Sequence, residues 1–178
     1  DVGVSFNGPH GHIVQIERAT RIVNLIHEYG MFDDMKTEYI PYWRSDAVVK
    51  VGDEPQPPAR GVYASVYRTP LPNGRGYRAL IVLMNESEEA VSQTLTLTDT
   101  NRLLGGRNTL TASDALGRTK LGGGLSEWWA SLVGGAGDGP VLMDIESGDV
   151  VVRKNDDTYG PVYVPYHDYR ILYVESRR

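Results

Sequence analysis

The fold is decided by the stretch Val62-Tyr63-Ala64-Ser65-Val66-Tyr67, in which small apolar residues alternate with aromatic and polar ones. A period of two places successive side chains on opposite faces, so this stretch predicts a strand with one buried and one solvated face. The stretch Ala79–Met84 is apolar at every position and predicts a central strand covered on both sides. Both segments indicate a chain built on sheets.

Further strands are predicted at short intervals, separated by turn signals. Pro72-Asn73-Gly74 and Glu146–Asp149 are typical of hairpin turns. About nine strands at this spacing predict a mainly β chain, folded as an antiparallel β-sandwich. The remaining predicted strands are Ala47–Val51, Val91–Leu97, Thr109–Ala112, Val141–Ile145, Val150–Arg153, Val162–Val164 and Tyr169–Val174.

The N-terminal segment follows a different pattern. Apolar residues spaced i, i+3, i+4 and i+7 predict an amphipathic helix over Glu17–Tyr29, and Gly30 stands where helices commonly end. Val2–Phe6 predicts a short strand before it, closed by a loop. We therefore divide the chain into residues 1–45, the strand–helix tail of an α/β unit, and residues 46–178, the sandwich. The apolar stripe of the helix requires cover, so the segment Asp1–Arg44 is expected to pack on the sandwich or on a partner.

Composition excludes several function classes. The 178 residues carry a net charge of −5, which argues against a nucleic-acid partner, and no apolar run approaches the roughly 20 residues of a membrane helix. The absence of cysteine removes disulfides and thiolate metal sites but does not fix the cellular compartment. The sequence has no phosphate-loop or complete dinucleotide motif, so no cofactor is predicted. Because Asp1 is neither a methionine nor the start of a signal peptide, we expect a processed product or a piece of a longer protein.

Two groups of polar residues are candidates for chemical sites. Asp144 and Glu146 share a face if they lie on a strand, and two carboxylates about 5–5.5 Å apart suit a retaining glycosidase. The Ser-Gly-Asp that follows marks a hairpin, so we interpret them as solvated acids and predict no catalytic residue. His10 and His12 form a His-x-His pair without an evident third ligand, so no metal site is predicted, and contact with a substrate remains the alternative.

The aromatic residues give a stronger signal. The chain has 11 Tyr and 3 Trp but only 2 Phe, and Tyr and Trp combine an apolar ring with a polar tip, as sugar platforms and interfaces require. Tyr42 and Trp43 either fill the seam between helix and sandwich or contact a ligand, and the seam hypothesis predicts that Trp43 is mostly buried. Trp128 and Trp129, on the glycine-rich segment Gly117–Gly139, and Tyr166 are the other predicted contacts for carbohydrate or a partner.

Several of these segments together resemble a known family. The sequence is similar to bacterial glycoside-hydrolase-like proteins in which a (β/α) barrel is followed by a C-terminal β-sandwich. The segments that carry the resemblance are Met31–Asp34, Tyr39–Arg44, Val62–Arg68, Ala79–Ser87, Val91–Leu97, Asp114–Gly117 and Val164–Leu172. The resemblance implies that residues 1–45 are the last strand and helix of the barrel. A whole barrel takes about 250 residues, and no residue here matches the family's catalytic carboxylates, which lie on earlier barrel strands.

The resemblance therefore implies the non-catalytic C-terminal portion of a larger protein, with the upstream catalytic barrel as its partner. Two other functions stay open at this point. One is a carbohydrate-binding module that holds a glycan on exposed aromatic rings. The other is a structural domain that docks another chain through its N-terminal helix. Fold alone does not choose among the three.

Overall fold

The computed structural model describes residues 9–31, 36–52, 61–72, 74, 76–105, 140–155 and 157–175. The strand predicted at Val2–Phe6, the strand predicted at Thr109–Ala112 and the segment Gly117–Gly139 lie outside these ranges. The chain divides into two compact units, Asp1–Met35 and Lys36–Arg178. Residues 36–45, which the sequence grouped with the N-terminal segment, contribute a strand to the second unit.

The first unit contains one long helix, α1 (Pro9–Glu28). The sequence predicted its start at Glu17, with a loop at Pro9, and that boundary is wrong. Proline is well tolerated in the first turn of a helix, where its missing N–H has no intrahelical partner in any case. Pro9, which the sequence analysis assigned to a loop, is therefore the first residue of the helix.

The C-terminal end of α1 agrees with the prediction made for Gly30. Gly30 has a φ of 64°, which is left-handed and favours glycine. Its N–H donates to the carbonyl of His27 at 2.7 Å, and the N–H of Met31 donates to the carbonyl of Ile26 at 3.1 Å. These two bonds form the Schellman motif, which satisfies the last carbonyls of the helix and ends it.

The second unit holds ten strands in the ranges described, with one 3₁₀ helix (Tyr42–Ala47) and one short α-helix, α2 (Thr100–Leu104). The strands are β1 (Glu38–Ile40), β2 (Lys50–Val51), β3 (Val62–Pro70), β4 (Tyr77–Asn85), β5 (Val91–Thr96), β6 (Leu142–Asp144), β7 (Val150–Val151), β8 (Arg153–Asn155), β9 (Thr158–Val164) and β10 (Tyr169–Glu175).

These strands form two antiparallel sheets. The six-stranded sheet has the order β1-β3-β4-β10-β6-β7, and the four-stranded sheet has the order β2-β5-β9-β8. Residues from both sheets build one hydrophobic core, including Val66 and Ile81 from the first and Leu95 and Val164 from the second. The predicted mainly β, sandwich-like fold is confirmed. The sequence did not predict β1 or α2.

Strand β4 is apolar on both faces, as predicted for a central strand. It lies between β3 and β10, and its inward residue Ile81 is fully buried in the core. The next residue toward the N-terminus, Leu80, points to the other face and is only 1% exposed. Burial of both faces explains why this segment lacks the alternation seen in β3.

One buried polar side chain closes the end of β4. Asn85 is 1% exposed, and its Nδ2 donates to the carbonyls of Glu89 at 2.8 Å, Pro165 at 3.0 Å and Val164 at 3.2 Å. Its Oδ1 accepts from the N–H and the hydroxyl of Ser87 at 2.9 and 2.6 Å. One amide thus joins the β4–β5 turn to the end of β9, which belongs to the opposite sheet.

Replacing Asn85 with alanine is expected to lower the free energy of unfolding by about 3 kcal/mol, because it strips buried carbonyls of their donor. Chemical denaturation followed by circular dichroism measures this loss. The control is Asn155→Ala, at an exposed position in β8, which is expected to change stability by less than about 0.5 kcal/mol. Equal effects of the two substitutions would contradict the role given to Asn85.

Tyr159 supplies a second buried polar anchor. It is 1% exposed in the core, and its hydroxyl donates to the carbonyl of Pro140 at 2.7 Å. Burial raises the pKa of the Tyr159 phenol; the Arg153 guanidinium partly opposes this shift and Asp157 adds to it. The folded protein therefore keeps the phenol neutral at a pH where the unfolded chain ionises it.

Tyr159→Phe is expected to cost about 1–2 kcal/mol at neutral pH, through loss of the hydrogen bond. The advantage of the wild type shrinks as the pH rises above about 10, by about 1.4 kcal/mol at pH 11, because only the unfolded phenol ionises there. Urea titrations of both proteins between pH 7 and 11 measure the difference. Parallel stability curves over this range would show that the phenol is not held neutral by the fold.

Candidate functional site

The 3₁₀ helix after β1 fixes the position of Tyr42 and Trp43. The N–H of Arg44 donates to the carbonyl of Pro41 at 2.9 Å, and the hydroxyl of Ser45 donates to the carbonyl of Tyr42 at 3.0 Å. Ser45 is fully buried, so this turn is anchored from beneath. The two aromatic residues therefore stand on a short, hydrogen-bonded element and not on a free loop.

The ring of Tyr42 contacts two other rings. It meets Trp43 edge to face, with centroids 4.9 Å apart and planes at 88°, and it meets Tyr63 of β3 at 4.8 Å and 64°. Edge-to-face pairs of this kind are a favoured aromatic arrangement, worth about 0.5–1.5 kcal/mol beyond burial. Tyr42 thus couples Trp43 to the six-stranded sheet.

Strand register extends this group across the sheet. Tyr63 of β3 is paired with Met84 of β4, and Met84 is paired with Tyr169 of β10. Tyr63 and Met84 lie on the face turned away from the sandwich core, because Ala64 and Leu83 beside them belong to it. Tyr169 lies on the same face, because it alternates along β10 with the core residues Leu172 and Val174. We call the five residues Trp43, Tyr42, Tyr63, Met84 and Tyr169 the aromatic row.

The aromatic row is open to solvent at two points. Trp43 is 56% exposed and Met84 is 46% exposed, while the three tyrosines are half-buried. The prediction that Trp43 is mostly buried at the seam is therefore wrong. Successive residues of a 3₁₀ helix point about a third of a turn apart, so the residue that packs on Tyr63 is Tyr42, and Trp43 points outward.

A second aromatic pair lies farther along the same face. Tyr39 of β1 stacks on Tyr67 of β3, with ring centroids 4.8 Å apart and planes at 28°. Burial, and secondly the neighbouring Tyr39, raise the pKa of Tyr67 above the ordinary value for tyrosine. The phenol is therefore neutral at physiological pH and beyond. Tyr67 follows Tyr63 by four residues, about 13 Å along the strand, which extends the aromatic surface along β3.

The other predicted contact residues lie elsewhere. Tyr166 sits in the turn between β9 and β10, is 55% exposed and packs against the ring of His167 at 4.1 Å. Trp128 and Trp129 fall outside the described residues. His10 and His12 lie near the start of α1 and not on a strand.

The carboxylate of Asp144 closes the β6–β7 hairpin. Its Oδ1 accepts from the N–H groups of Glu146 at 2.9 Å and Ser147 at 3.1 Å, and its Oδ2 lies 3.8 Å from Nε of Arg170. The predicted hairpin at this point is confirmed. Asp144 also lines an open groove of about 580 Å³, whose floor includes Val151 and Leu172. Its Oδ1 is engaged in the turn and its Oδ2 faces Arg170, so both oxygens have a structural role.

The described ranges lack the features of a metal site and of a membrane-spanning helix. Among these residues, no three His, Asp or Glu side chains are grouped so that they form a metal site. Neither described helix has the length and hydropathy needed to cross a membrane. Comparisons with protein-family models, curated protein sequences and solved structures found no match.

Sequence reasoning identified Tyr42 and Trp43 but missed three members of the aromatic row. Tyr63 occupies one of the outward positions in the alternation of β3, which is a usable signal. Met84 and Tyr169 join it only through the pairing of β4 with its two neighbours. That pairing links residues far apart in the sequence.

Trp43→Ala is expected to cost about 1 kcal/mol or less, because the lost side chain is mainly solvent-exposed and its principal described ring contact is Tyr42. Leu83→Ala, at a core position of β4 that is 1% exposed, serves as the comparison and is expected to cost about 2–5 kcal/mol. Denaturant titration of both variants measures the contrast. A cost above about 3 kcal/mol for Trp43→Ala would restore the seam hypothesis.

Proposed function

We propose that this chain is the non-catalytic C-terminal portion of a larger glycoside-hydrolase-like protein, in which it stabilises the catalytic barrel. The observation that carries the proposal is the surface of α1. Ile16 is 65% exposed and Val23 is 51% exposed. They are seven residues apart, so they lie on the same side of the helix, two turns from each other.

This exposed pair is distinct from the stripe that the sequence predicted. The predicted stripe, with Ile22, Leu25, Ile26 and Tyr29, lies on another side of the helix, about a third of a turn from the exposed pair. The helix is therefore apolar on two sides, which is typical of a helix packed between layers. An outer helix of a barrel is in this situation, since it contacts the barrel strands and its neighbouring helices.

The chemistry of the described residues favours a non-catalytic role. Hydrolysis of a glycoside requires two carboxyl groups that converge on one bond. Asp144 is one of the two acids considered for this role in the sequence analysis. Its carboxylate accepts hydrogen bonds from two backbone N–H groups of its own turn. The hydrolytic step then belongs to the upstream part of the parent protein, and the resemblance described above suggests a barrel there.

Association with the upstream region tests the proposal. The region encoded before Asp1 is produced separately and mixed with this chain, and binding is measured by isothermal calorimetry. We expect a stable complex that the double variant Ile16→Glu, Val23→Glu weakens at least tenfold, because it places two carboxylates in an apolar contact. The matched control is Asn24→Glu, which is exposed on a different side of α1 and is expected to bind like the wild type.

Three outcomes would contradict the proposal: absence of a barrel-sized region before Asp1, absence of a complex, or equal weakening by Asn24→Glu. Sedimentation of the chain alone examines the docking alternative. If the Ile16 and Val23 surface joins two copies of this chain, the double variant converts a dimer to a monomer, and the helix is then a docking element of a structural domain.

A further inference from the structure

We propose that the aromatic row is a glycan-binding platform, on which the sugar rings of a neutral polysaccharide chain stack. This inference rests on the proposed function in one respect, because a glycoside-hydrolase-like parent supplies the class of polymer. The platform itself is assigned from the geometry of the row. Its five members are grouped by ring contacts and strand pairing alone.

The platform is preformed. Trp43 is exposed, yet its ring is held edge to face by Tyr42, which is held in turn by Tyr63. The backbone beneath is fixed by the 3₁₀ helix and the buried Ser45. An aromatic side chain held in place loses little conformational freedom when a ligand stacks on it, and this reduces the cost of binding.

The chemistry of the aromatic row suits a neutral sugar chain. The row consists of three tyrosines, one tryptophan and one methionine, so it carries no formal charge at neutral pH. Rings with a polar tip offer an apolar face to the C–H surface of a sugar and hydrogen-bonding groups to its hydroxyls. Ser65 lies on the same face of β3, between Tyr63 and Tyr67, and adds a further hydroxyl.

The exposed area of the aromatic row is limited. Aromatic side chains present about 150–250 Å² each when fully exposed, so the partly exposed row offers on the order of 400 Å². A stable protein–protein interface needs about 800 Å² per partner. The exposed row is therefore smaller than a whole subunit contact, and it is of the size of the largest apolar patch on a typical monomer, which is often functional. The elongated arrangement, continued by the Tyr39–Tyr67 stack, suits a linear chain.

Affinity electrophoresis of the full 178-residue chain tests the platform. Native gels contain one of five soluble neutral polysaccharides: hydroxyethyl cellulose, arabinoxylan, galactomannan, laminarin or pullulan. We expect retardation by at least one of them. For that polysaccharide, Trp43→Ala is expected to raise the dissociation constant at least tenfold, and Trp43→Tyr, which keeps a stacking ring, is expected to raise it less than threefold.

The matched control is Tyr163→Ala. Tyr163 is 55% exposed but lies on β9 of the opposite sheet, so its removal is expected to leave binding unchanged. The proposal is overturned if none of the five gels retards the chain, if Trp43→Ala binds like the wild type, or if Tyr163→Ala loses binding equally. It is also overturned if Trp43→Ala dissociates a dimer of the chain. None of these outcomes bears on the association of α1 with the upstream region, which the calorimetric experiment tests separately.

Discussion

The buried amide of Asn85 is the interaction on which the second unit depends. Its Nδ2 holds carbonyls from the β4–β5 turn and from the end of β9, so one side chain joins the two sheets. The backbone of the same residue is equally constrained, because its N–H donates to the carbonyl of Asp168 at 3.0 Å. A residue with both donor and acceptor groups is required here, and neither a carboxylate nor an aliphatic side chain supplies them.

The position of Asn85 also sets the geometry of the aromatic row. Met84 precedes it directly and is paired with Tyr63 on one side and Tyr169 on the other. A shift of one residue in β4 would turn Met84 toward the core and break the row. The same anchor therefore links fold to surface: satisfaction of a buried amide fixes the register, and the register presents the rings. The 3₁₀ helix that carries Trp43 supports the opposite end of the aromatic row.

The parts of the fold predicted correctly are those in which local pattern and tertiary environment agree. The alternation of β3 and the unbroken apolar run of β4 each specify their burial. Strand β1 was missed because its three residues are too few to show a period, and α2 was missed for the same reason. Both ends of α2 nevertheless carry local signals, since Asp99 caps its first turn and Gly105 ends it in a left-handed conformation.

The surface was harder to predict than the core. Tyr42 and Trp43 are adjacent and chemically alike, and the sequence does not show which one packs on the sheet. Pro9 was misinterpreted for a related reason, because a proline in a sequence is compatible both with the end of an element and with the first turn of a helix. Met84 and Tyr169 illustrate the general limit: each is ordinary in its own segment, and they form a surface only once distant strands are paired.

We propose that the chain supports a glycoside-hydrolase-like protein without performing its chemistry. A screen of the purified chain against a panel of chromogenic glycosides tests this most directly. The account predicts no turnover above the uncatalysed rate, because the Asp144 carboxylate serves its own hairpin. Turnover that is abolished by Asp144→Asn or by Glu146→Gln would contradict the account and would place a catalytic pair of acids in the groove beside β6 and β7.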